Sequence, residues 1–118
     1  MSRSGLFLTF CLFAGCTKTQ PVASPSAASP EEVAAKLVRR GLITYQTNCT
    51  TCHNMDPTKA GAVGPAVAGS SIELVEARLL RGTYPEGYQG QRTTKVMPMF
   101  PQLKDDIPAI VAYLQSVK

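Results

Sequence analysis

The chain contains the run Cys49-Thr50-Thr51-Cys52-His53. Two thiols at this spacing, followed at once by an imidazole, admit only a few chemistries. A dithiol redox pair belongs with a thioredoxin-like alternation of strands and helices, and no alternating strand run of useful length occurs. A structural zinc site needs four ligands. There is no second Cys pair close to this one, and the chain has a single His. A plain disulfide has no use for a neighbouring histidine. The remaining option is C-x-x-C-H as the attachment signature of covalent haem. At the end of a helix the two thiols reach both vinyl groups of one porphyrin, and His53 lies under the iron to supply an axial imidazole.

The other two cysteines have separate tasks. Met1-Ser-Arg-Ser carries one positive side chain, and Gly5 to Gly15 is an apolar run of eleven residues. A membrane-spanning helix needs about 20, so the run reads as a secretory signal. Its end, Leu12-Phe13-Ala14-Gly15-Cys16, resembles a bacterial lipoprotein signal, with Phe13 departing from the usual Leu. That resemblance implies cleavage before Cys16, lipid on Cys16 and loss of Cys11 with residues 1–15. Thr17 to Ser29 (TKTQPVASPSAAS) has the composition of a flexible tether. The expected organisation is a signal peptide over 1–15, a lipidated tether over 16–29 and one folded domain over 30–118.

The net charge of +4 comes without any block of Lys or Arg, which speaks against nucleic-acid binding. Three helices can be read. Ser29-Pro30-Glu31-Glu32 is a capping box with proline at the first helical position. Val33, Leu37, Gly41 and Tyr45 then form a stripe that ends near Asn48. Ser70-Ser71-Ile72-Glu73 is a second capping box, followed by Leu74, Val75, Leu79 and Leu80, with Gly82 as the stop. Asp105-Asp106-Ile107-Pro108 opens a third helix with the stripe Ile107, Ile110, Val111, Leu114 and Val117. The Gly/Pro-rich stretches between them are long for so small a domain unless they wrap something.

On these residues the segment 30–118 resembles the class I, mono-haem cytochromes c. Gly41 and Tyr45 match the family's first helix, and Ile110 and Tyr113 match the last helix that crosses it. The resemblance implies an all-α fold of three to four helices, with long loops wrapped around one haem c held by Cys49 and Cys52. It further implies His53 and Met97 as iron ligands, since Met97-Pro98-Met99-Phe100-Pro101 is similar to the family's ligand loop; Met99 is the alternative. Pro65, in Gly64-Pro65, is the expected carbonyl partner of the histidine's other ring nitrogen. The stretch Arg81 to Lys95 departs from the family, and the common propionate-side Trp is absent, the chain having none. Tyr88 or Arg92 is the expected partner of a haem propionate in its place.

With both axial positions filled, the implied function is transfer of single electrons between redox partner proteins, not catalysis. The lipid on Cys16 would hold the domain, as a monomer, at a bacterial membrane on the extracytoplasmic side. A haem c subunit of a larger membrane-associated oxidoreductase, and a haem-based small-ligand sensor, are the alternatives.

Overall fold

The computed structural model describes residues 28–94 and 96–117. The signal peptide and most of the tether expected from the sequence lie outside the described residues. Helix α1 spans Pro30–Asn48, α2 spans Ile72–Arg81 and α3 spans Ile107–Ser116, with a 3-10 helix at Pro101–Asp106 leading into α3. No strand occurs among the described residues. The fold is all-α, as expected.

Helix α1 starts where its capping box places it. The Ser29 hydroxyl accepts from the Glu32 amide at 3.2 Å, and the Glu32 carboxylate accepts from the Ser29 amide at 2.8 Å. It ends where side chains turn back onto the backbone. Asn48 and Thr50 donate to the carbonyls of Thr44 and Gln46, both at 2.9 Å, and such local bonds compete with continued helix. Helix α3 crosses α1 at Gly41. A Cβ there would overlap the Ala109 carbonyl and stand 2.8 Å from Tyr113 Cβ. One turn on, the rings of Tyr45 and Tyr113 meet at 5.5 Å, tilted by 53°. Around this crossing Val75 and Leu79 of α2 pack with Leu103, Ile107, Ile110 and Leu114. Each such side chain, fully buried, contributes about 1.5–3 kcal/mol.

Three details differ from the sequence reading. The cap of α2 is Ser71, whose hydroxyl accepts from the Leu74 amide at 3.3 Å. Ser70 instead donates to the Val67 carbonyl at 2.7 Å, inside the preceding turn. Asp106 precedes α3 without a side-chain capping bond. The 3-10 turn already satisfies the Ile107 amide through the Lys104 carbonyl, and the Asp106 carboxylate turns to Arg40 Nε at 2.7 Å. Val33 and Leu37 continue the stripe of Gly41 and Tyr45 yet stay exposed, at 56% and 36%. Helix α1 has 19 residues and α3 only 10, so α1 outruns the helix it packs on.

Candidate functional site

The end of α1 sets the geometry of the motif. Past the helix, the amides of Cys52 and His53 both donate to the Cys49 carbonyl, at 3.2 and 2.9 Å. This extra turn keeps Cys49, Cys52 and His53 together on the wall of one cleft. Burial, aided by the neighbouring Cys52, pushes the Cys49 thiol up to about 11.

The segment after His53 folds back under it. The Val63 and Gly64 amides donate to the Cys52 carbonyl at 3.3 and 2.9 Å, and the Gly61 amide donates to the Gly64 carbonyl at 2.9 Å. This brings Gly64 against the His53 ring, where a Cβ would stand only 2.5 Å from Cε1 and 2.6 Å from Nδ1. His53 Nδ1 lies 2.9 Å from the Pro65 carbonyl oxygen. A carbonyl only accepts, so the ring proton is on Nδ1 and the Nε2 lone pair is free for a ligand role. The expected partnership of His53 and Pro65 is thus present as a contact.

Leu74, Val75 and Leu79 of α2, and Ile110 and Leu114 of α3, give the cleft an apolar lining, and Met97 joins it from the loop before the 3-10 helix. The space between these walls, open mouth included, is about 990 Å³. A second opening, lined by Thr47, Asn48, Pro98 and Phe100, shares Cys49, Cys52, His53 and Met97 with the first. Among the described methionines only Met97 lines the cleft; Met55 and Met99 are 64% and 56% exposed. Met99 sits outside, beside Gly82. The Phe100 amide bonds the Leu79 carbonyl at 2.7 Å and ties this loop to α2.

Tyr88 and Arg92 also line the cleft mouth. Tyr88 stacks on Tyr84 at 5.3 Å. Arg92 donates from Nη2 to the Gly61 carbonyl at 3.4 Å. Sequence reasoning missed Arg78. It is 8% exposed, lines the same cleft, donates to the Gly82 carbonyl at 2.9 Å and lies 4.5 Å from the Tyr84 ring centroid. Among the described residues no carboxylate lies within ion-pair distance of it. On the sequence it is one arginine in an amphipathic helix, and no local pattern separates it from a solvated one.

The residues fit haem. Two thiols, an imidazole and a thioether converge on a largely apolar cleft, which also holds a buried guanidinium to meet carboxylates. Neither a search of curated proteins nor a search of solved structures returns a match. The family model for cytochrome c matches residues 38–118. Haem c is bound covalently in this family, here through Cys49 and Cys52, and its role is electron transfer, that of a carrier and not an enzyme. Domains of this kind are typically extracytoplasmic, and no helix among the described residues is long and apolar enough to cross a membrane. By fold, by motif and by this match over most of its length, the chain belongs to the cytochrome c family.

Proposed function

We propose that the protein is a membrane-tethered mono-haem cytochrome that passes single electrons between partner proteins outside the cytoplasm. The observation that carries this reading is the convergence of His53 and Met97 on one cleft with both attachment cysteines. When bound, the haem supplies a one-electron ferric/ferrous couple. His53 would offer Nε2 to the iron, and the Pro65 carbonyl holds the proton on Nδ1, which fixes the ring's tautomer. Met97 offers a soft, neutral thioether, a ligand that raises the potential. Arg78, with Arg92 and Tyr88 at the mouth, meets the propionates. The guanidinium planes match carboxylates bidentately, and among the described residues no acid pairs with Arg78. The apolar lining from α2 and α3 excludes water.

With His53 and Met97 holding the iron, no position would be left open for substrate chemistry at the metal. Partners dock transiently over a small surface. The lipid on Cys16 and a tether reaching at most about 45 Å keep that surface near the membrane. Two measurements test this. The reduced protein should bind carbon monoxide slowly; rapid binding would favour the small-ligand sensor. Lipid labelling should vanish in Cys16→Ser, and unchanged labelling would remove the tether. The exposed Val33 and Leu37 precede the matched segment 38–118. They favour, as a second reading, a haem c subunit of a membrane-associated oxidoreductase. Purification of the native protein as a lone monomer would count against it.

A further inference from the structure

The segment Thr83–Thr94 lies in the stretch Arg81 to Lys95 that departs from the class I pattern, and its role follows from how weakly and where it is held. At its start the Thr83 amide bonds the Ala77 carbonyl at 3.1 Å, and beyond its end Phe100 bonds Leu79 at 2.7 Å. Both anchors are on α2. Between them the segment lies on Tyr84, so closely that a Cβ on Gly90 would stand 2.9 Å from the ring. It then reaches across the cleft mouth with two bonds. Gln91 Nε2 donates to the Ala66 carbonyl at 3.5 Å, and Arg92 Nη2 donates to the Gly61 carbonyl at 3.4 Å. Both bonds are long and exposed, so they open at low cost. Their acceptors flank Gly64-Pro65, the pair that carries His53, and Met97 follows Thr94 by three residues.

We infer that Gln91 and Arg92 form a clasp that ties the His53 wall to the arm carrying Met97. Opening of this strap is then the step that releases Met97 from the iron. The inference rests on Met97 being the sixth ligand. Gln91 and Arg92 are positioning residues in it, acting through the strap. No bond to the metal is assigned to either.

The test is the rate at which imidazole replaces the thioether in the ferric holoprotein, followed by its absorption spectrum. Gln91→Ala combined with Arg92→Ala should speed replacement about tenfold, the effect of two modest hydrogen bonds. Hydrogen exchange over residues 89–94 should rise in parallel. Arg92→Lys, which keeps a donor, should recover most of the wild-type rate, and Gln89→Ala, on the strap but without a bond across the cleft, should leave it unchanged. Gln91→Ala alone should speed replacement with the reduction potential unmoved, which separates the clasp from any contact between Arg92 and a propionate. The clasp is overturned if the double variant reacts within twofold of wild type while Met97→Ala reacts fast. A Met97→Ala protein no faster than wild type would instead remove the ligand reading, and the clasp with it.

Discussion

At the scale of single residues, His53 is held from two sides: the Pro65 carbonyl takes its Nδ1 proton, and Gly64 leaves room for its ring. Gly64→Ala has to displace the ring. The expected result is a low yield of holoprotein or an altered ligand spectrum, while Gly87→Ala, with open space around it, keeps the wild-type spectrum despite its positive φ of 75°. Tyr45 is the second such position. Its hydroxyl donates to the Asn54 carbonyl at 2.7 Å, and burial, the largest cause, raises its pKa from 10.0 to about 12. The folded state therefore holds this proton more tightly than the unfolded chain. Its contribution is full below pH 10 and is lost as pH rises toward 12. Tyr113 shifts in the same direction. Tyr45→Phe should cost about 1 kcal/mol at neutral pH and flatten the decline of stability between pH 10 and 12, as read by denaturant unfolding. Cys49, Cys52 and His53 were legible because the chemistry demands contiguous residues. Pro65 was legible only through family likeness, since its contact spans 12 residues. Arg78 was not legible, because its burial comes from the loop that folds over it.

At the scale of elements, the helices declared themselves through caps and apolar spacing, and their packing hangs on Gly41. Gly41→Ala pushes a methyl into the Ala109 carbonyl and should destabilise by at least about 3 kcal/mol or prevent folding. The first turns of α1 behave differently because they extend past α3. Loss of the Ser29 cap, about 1 kcal/mol at the helix end, should appear in Ser29→Ala as faster amide exchange over residues 31–37, with little change in global unfolding. A global loss of the full 1 kcal/mol would mean that the overhang is packed. The stripe alone could not reveal this overhang, since periodicity reports which side of a helix is apolar but not how far its partner extends. The 3-10 helix was missed for a related reason. It is a single short element opening on proline, and Asp106, which reads as the cap of α3, is its last residue and turns its carboxylate to Arg40, 66 residues away.

At the scale of the whole molecule, the long stretches that read as excess loop are the walls of the cleft. Residues 53–70 form the His53 side, and residues 82–94 and 96–100 bring the strap and Met97 to the other parts of the rim. With no Trp and four each of Tyr and Phe, the protein core is thin, and the haem completes it. The central claim is one covalent haem ligated by His53 and Met97. The most direct measurement is the absorption spectrum, in both redox states, of protein matured with the haem-attachment machinery, taken for wild type, Met97→Ala and Met99→Ala. The account predicts haem that stays on the chain under denaturation, a six-coordinate spectrum in wild type and Met99→Ala, and loss of that coordination in Met97→Ala alone. Haem that dissociates on denaturation, or a coordination change confined to Met99→Ala, would contradict it.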